Sequence, residues 1–352
     1  QMGAGEALRG LTGGAVPYWG GAALITVFMI VYVMLAGMRG VAWTDTLQGL
    51  FMLSVLWVAV VWVVGAVGGV GAATEGMLAA RPEFGALGGG LYTPQFIVSS
   101  AVTIAFGVTM FPQINQRFFV AKSATVLKRS FALWPVLVLL LFVPAFMLGA
   151  WAAGLPIEVP EGANVLSVLL SEYTPGWFAA VVVAGAMAAM MSSSDSMLLS
   201  GSSYFTRDVY RPVINADASE RREAWIARVG VAAFALAAFV ASLLRPGTLI
   251  EVGDTAFSGF ALLALPVICA LYWDRTTRSG MIVGVFVPQV AYLAVVLSAV
   301  TAAVPTLPRT VAGGWDVALG LMALSALLTV GVSLVTAPTA EGDASRFAVA
   351  GD

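Results

Sequence analysis

GAMAAMMSSSDSMLLSGSSYFTRDVYRP, residues 185–212, puts five consecutive polar residues, Ser192 to Ser196, inside an otherwise apolar run. At helical spacing Ser192, Asp195, Ser196 and Ser200 fall on one stripe, with the small residues Gly185, Ala186, Ala188 and Ala189 upstream. The surroundings decide how such a stretch is read. The chain has 352 residues, 60% of them hydrophobic and 10% charged, and a mean hydropathy of +0.93. About 25% charged residues is usual for a soluble domain, so this chain cannot cover a water-facing surface. It is an integral membrane protein, and the stretch is a membrane helix carrying polar groups that hydrocarbon does not tolerate unpartnered.

A bilayer core needs about 20 mostly apolar residues per helix, and nine such runs are present. They cover 20–37, 46–70, 96–116, 131–154, 176–203, 228–245, 255–273, 279–303 and 315–336. Segments of alternating polarity are lacking, which argues against a β-barrel. The expected class is an all-α membrane protein forming a single transmembrane domain over residues 1–352.

Charge orients the bundle. Of the 17 Lys and Arg, 13 fall on one side of the nine spans. They are Arg39, Arg117, Lys122, Lys128, Arg129, Arg207, Arg211, Arg221, Arg222, Arg228, Arg275, Arg278 and Arg346. Arg9, Arg81, Arg245 and Arg309 lie on the other. The richer side is expected to be cytoplasmic, with residue 1 outside and the C-terminus inside. The stretch 71–95 and the acidic loop 155–175 (Glu158, Glu161, Glu172) say little more.

Several chemistries drop out. There is no histidine, so His-metal sites, Ser-His-Asp triads and a phospho-accepting histidine are excluded within this chain. The one cysteine, Cys269, forms neither an internal disulfide nor a cysteine metal cluster and reads as packing. A net charge of -2 offers no nucleic-acid surface. The chain opens on Gln1 with no signal-peptide pattern, which raises the expectation of further chain upstream.

The remaining polar residues each carry two readings. In the 185–212 stretch the hydroxyl and carbonyl oxygens suit a small hard cation, with Asp195 to balance its charge. Alternatively, the serines bond back to carbonyls four residues earlier while small residues allow close packing. Asp45 and Gln48, in WTDTLQ (43–48), read as the N-cap and capping-box partner of a helix start, or as part of an ion path. Pro112 predicts a kink or break, because it lacks an N–H and its ring clashes with the carbonyl of Val108. A broken mid-membrane helix can line a solute site. The alternative is a tolerated kink near the inner surface, with Arg117 snorkelling to the headgroups. Glu251 and Asp254 suit a helix start, and Trp273 an interface anchor.

Four stretches together resemble the sodium/solute symporter family of proline, pantothenate and sugar cotransporters. They are GMRGVAWTDTLQGLFM (37–52), FGVTMFPQINQRFFVAKS (106–123), AAMMSSSDSMLLSGSSYFTRDVYRP (188–212) and AFSGFALLALPVICALYWDRTTRSGMIVG (256–284), in the family's order. The resemblance implies an inverted-repeat bundle of five plus five helices, with the chain matching from the fourth core helix onward and the first three missing. It implies a sodium site made by the Ala189 carbonyl and the Ser192 and Ser193 hydroxyls, with Asp45 assisting ion coupling. Asp195 and Ser196 are expected as accessory polar residues, since the family assigns Asp195 no agreed liganding role. Phe111, Pro112 and Gln113 are the expected substrate-cavity residues. Proline carriers have aromatic residues where this chain has Ile104 and Val108, and a histidine in place of Gln113. The implied solute is therefore a small organic anion or polar metabolite. The expected activity is sodium-coupled symport across the plasma membrane, with Na+, a small solute and the bilayer as partners and no organic cofactor. The competing class is a transporter-like sensor module of a larger signalling protein.

Overall fold

In the computed structural model the described residues are 1–86, 93–159, 164–244, 247–300 and 306–337. Arg245, Arg346 and Glu161 lie outside them, and for 36–39 only the backbone is described. Eight described helices are long and apolar enough to cross a membrane, or nine if one broken pair counts as a single span. The chain divides into two compact units, residues 1–86 with 116–245 and residues 87–115 with 246–352.

The first unit holds α1 (Met2–Leu11), α2 (Tyr18–Ala66), α3 (Val70–Ala80), most of α5 (Pro112–Val120), α6 (Ala124–Ala152), α7 (Val165–Tyr173), α8 (Gly176–Tyr204) and α9 (Glu220–Leu243). A π-helical segment, Phe205–Ile214, extends α8. The stretches 71–95 and 155–175, uninformative in sequence, thus contain α3 and α7.

The largest departure from the sequence reading is α2. It runs 49 residues without interruption through the expected turn and the expected helix start at Trp43. At 1.5 Å per residue it is about 73 Å long, more than twice a bilayer core of roughly 30 Å. Two apolar stretches, Tyr18–Leu35 and Gly40–Ala66, are the candidate spans within it. The second ends at Ala66 rather than at residue 70, because Gly68 and Gly69 adopt positive φ of 89° and 112°, which glycine alone accepts without strain.

The core of this unit lies along α2 and α8. Val55, Ala59, Val60 and Val63 pack with Leu148 and Trp151 of α6, Leu169 and Leu170 of α7, and Phe178 and Val182 of α8. Ile25, Met29 and Val33 pack with Leu198 of α8 and Val231 and Ala235 of α9. Pro144 stays inside α6, and its missing N–H would orphan the Leu140 carbonyl. The Trp57 indole N–H of α2 supplies that bond at 2.8 Å.

The second unit holds α4 (Pro94–Met110), α10 (Leu249–Tyr272), α11 (Arg278–Val300) and α12 (Val317–Val335). The break expected at Pro112 is present one residue earlier. Phe111 is extended (φ -62°, ψ 128°), as residues before proline are pushed to be, and the helix restarts with Pro112 in its first turn. Pro266 and Pro288 sit inside unbroken helices.

Backbones approach closely at glycines, as in membrane bundles generally. Gly107 of α4 faces the Phe257 backbone of α10, where a Cβ would collide with the carbonyl oxygen. Gly280 and Gly284 of α11 lie against Ser333 and Thr329 of α12.

Gly107→Val is expected to destabilise the protein by about 1–3 kcal/mol, as overpacking does. Gly331→Ala, which meets open space, is expected to leave stability unchanged or slightly raised. Heating the detergent-solubilised protein and following the monodisperse fraction checks both.

Candidate functional site

The sequence-marked polar residues of the first unit converge where α8 meets α2 and α5. The i, i+4 rule behind the stripe holds, but its members do different things. Ser194, Ser200, Ser203 and Thr206 each donate to the carbonyl four residues back, at 2.7–2.8 Å. This is the bonding the packing reading assigned to the whole run. Ser192 and Ser193 do not share it. Among the described residues neither hydroxyl has a hydrogen-bond partner; Ser192 is half-buried and Ser193 exposed, one turn beyond Ala189.

One turn on, Asp195 is 0% exposed. Its carboxylate accepts the Tyr32 hydroxyl from α2 and, at 2.7 Å, the Ser196 backbone N–H. A charge so placed needs partners of this kind, because no water reaches it.

Ser196 is the hub of a second set. Its hydroxyl donates to Asp45 Oδ2 at 3.2 Å and accepts from the Arg117 guanidinium at 2.7 Å. Arg117, in the last turn of α5, also forms an ion pair with Asp45. The Asp45 side chain is 11% exposed and that of Arg117 51%, so the pair is wet on the arginine side. The series continues along α8: Ser200 Oγ lies 2.7 Å from Gln116 Oε1, and Gln116 Nε2 donates to Ser203 Oγ at 3.4 Å.

Two acceptors are left over. Among the described residues Asp45 Oδ1 and Gln48 Oε1 are buried with no hydrogen-bond partner, and at i, i+3 they share a face of α2. This corrects the capping-box reading. Asp45 and Gln48 are interior to a continuous helix, where no free N–H groups exist to be capped. It also replaces the snorkelling arginine: Arg117 turns to a carboxylate 72 residues away in sequence. Tyr32 and Asp45, both on α2, reach adjacent residues of α8.

The donor set is hydroxyl, carbonyl, amide and carboxylate oxygen, which suits a hard monovalent or divalent cation rather than a soft metal. No group of three His, Cys, Asp or Glu side chains gathers among the described residues.

The expected substrate residues lie at the helix break. Phe111, 6% exposed, packs against Phe257 and Phe260 of α10 with ring centroids 5.0 and 4.6 Å away. Pro112 opens α5, and Gln113 is half-buried in its first turn. Tyr32, Gln116 and the Asp45–Arg117 pairing escaped the sequence reading. The one signal for Tyr32 was a hydroxyl-bearing ring at mid-span.

Comparison with known proteins places this arrangement. The model for the sodium:solute symporter family matches residues 2–287. The sodium/pantothenate symporter of Escherichia coli K12 is 27% identical over 289 residues, covering 80% of this chain and 59% of the relative. The sodium/proline symporter of Haemophilus influenzae is 28% identical over 290 residues, covering 78% and 56%. The chain thus spans a little over half the length of the curated relatives it matches. Among solved structures, a Na+-coupled sialic acid symporter in a substrate-bound outward-open state superposes with a TM-score of 0.73. It covers 96% of this chain and 71% of that one; at 18% identity the likeness is one of fold.

Removing the Tyr32 hydroxyl leaves a buried carboxylate short of a donor. Tyr32→Phe is expected to destabilise the protein by about 1–3 kcal/mol. The loss should shrink when Asp195 is already Asn, because the two residues are coupled. Thermal unfolding of the four proteins of this cycle measures it; equal losses in both backgrounds would refute the coupling.

Proposed function

The chain belongs to the sodium:solute symporter family, a family of transporters rather than enzymes, and on that premise we propose that it carries out sodium-coupled uptake of a small organic solute by alternating access. The observation that carries this is the pair of unbonded hydroxyls. In a helix whose other serine hydroxyls all have partners, Ser192 and Ser193 have none among the described residues and keep their oxygens available beside the Ala189 carbonyl. Sodium binds these three oxygens.

Asp45 attracts the ion and passes it toward the inner side. The geometry supports an exchange of cations: Arg117 now holds one Asp45 oxygen while the other has no partner among the described residues. Two cations compete for one carboxylate, so the ion pair opens when sodium arrives and re-forms when it leaves. Asp195, held by Tyr32 and the Ser196 backbone, is an accessory group that anchors α8 to α2. Phe111, Pro112 and Gln113 border the solute path at the break between α4 and α5. The solute is a small organic anion or polar metabolite; the named relatives make proline, pantothenate and sialic acid the first probes.

The protein is multi-pass, and its place is the plasma membrane, with the 13-arginine-and-lysine side inward. Moving one positive charge inward through 100 mV supplies about 2.3 kcal/mol, enough to drive uphill uptake before any concentration term. Sodium raises solute affinity by linkage, and the solute raises sodium affinity by the same factor.

Uptake of labelled proline, pantothenate and sialic acid into liposomes holding the full-length protein is expected to require an inward sodium gradient. Ser192→Ala and Ser193→Ala are each expected to raise the half-saturating sodium concentration about tenfold or more, as the loss of a ligand to a charge implies. Uptake that ignores sodium, or a sodium dependence unchanged in both variants, overturns the reading.

A further inference from the structure

The first two turns of α9 separate their charges. Glu220 and Glu223 line a cavity of about 470 Å³ together with Arg207 and Arg211 from the end of α8, and Glu223 pairs with Arg211 at 3.3 Å. The two carboxylates and two guanidiniums there balance in charge. On the other face, Arg221, Arg222 and Arg228 line a second cavity, of about 390 Å³, with Trp225 and Ser219. Among the described residues no carboxylate lines it. Among the described residues none of these three guanidiniums has a hydrogen bond or ion pair.

Three uncompensated positive charges around one cavity repel each other unless an anion sits between them. Arginine favours one class of anion, since its planar fork bonds phosphate oxygens two at a time. Position narrows the source. α9 is itself a candidate span from Glu220 to Leu243, so the cavity lies at its polar end. Arg228, about 12 Å further along, is long enough to reach back toward the headgroups. Trp225 is 60% exposed beside it, the side chain most at home at a membrane interface. Basic pockets flanking spans are where anionic headgroups bind.

We propose that Arg221, Arg222, Arg228 and Trp225 form a binding site for the phosphodiester headgroup of an anionic phospholipid. The guanidiniums hold the phosphate oxygens, and the indole packs on the glycerol and upper acyl region. The segregated carboxylates keep the other face neutral, so the lipid is held on one side of α9 only. The site stands on the membrane reading alone and does not depend on sodium coupling.

Native mass spectrometry of the full chain from nanodiscs of phosphatidylcholine, with and without phosphatidylglycerol, reads the occupancy directly. Phosphatidylglycerol is expected to stay bound and phosphatidylcholine to be lost. Arg221→Gln, Arg222→Gln and Arg228→Gln are each expected to weaken retention about fivefold, and the triple change on the order of 100-fold. Arg207→Gln, on the opposite face, should leave retention unchanged. Single changes at these exposed positions keep the test valid if the triple variant does not fold. Equal retention by all the Arg221, Arg222 and Arg228 variants overturns the site. Equal protection against thermal unfolding by inorganic phosphate in pure phosphatidylcholine overturns the lipid and leaves a soluble phosphate ligand.

Discussion

A polar side chain inside an apolar span has no water to bond, so each must be satisfied by its own helix, by another helix, or by a ligand. Everything distinctive here follows from how α8 meets that demand. Ser194, Ser200, Ser203 and Thr206 use the first route, bonding to carbonyls of α8. Asp195 and Ser196 use the second, through Tyr32, Asp45 and Arg117. Among the described residues Ser192 and Ser193 use neither, and it is on these two that the proposed cation binding rests.

The Asp45–Arg117 pair adds a constraint of charge. A half-buried ion pair gains little net stability, since desolvation offsets much of the attraction. In the proposed function its value lies in being exchangeable: Arg117 is half-exposed and Asp45 retains an oxygen unpartnered among the described residues, so a competing cation would meet a carboxylate already positioned and only partly engaged. The same accounting of partners distinguishes the two faces of α9: toward α8 Glu223 pairs with Arg211, while on the other side Arg221, Arg222 and Arg228 have no such partner among the described residues.

Much of this was legible in the residues. Nine apolar runs foretold the spans, because hydropathy over about 20 residues is a local property. Pro112 foretold the break, because a missing N–H and a ring clash act on the adjacent turn whatever surrounds it. The Gly68–Gly69 stop was equally local, and a reading of glycine chemistry at residues 66–70 would have found it. The 37–46 region misled: two glycines, an arginine and a Thr-Asp pair look like a turn followed by a cap, yet α2 continues through it as unbroken helix. Weak propensities yield to tertiary contacts in this way.

Sequence by itself determined that this is a helical membrane protein, where its spans lie, where one breaks, and that a polar stripe runs down the helix of residues 176–204. Each rests on neighbours within a turn or two. Only the tertiary structure decided which polar groups found partners and which did not. Tyr32 meets Asp195 across 163 residues and Arg117 meets Asp45 across 72, contacts that no periodicity encodes. Phe111, marked as a cavity residue, is buried against Phe257 and Phe260 for the same reason. Hydrogen-bond satisfaction is a property of the packed helices together, and the two hydroxyls it leaves unbonded could be recognised only after the others had been accounted for.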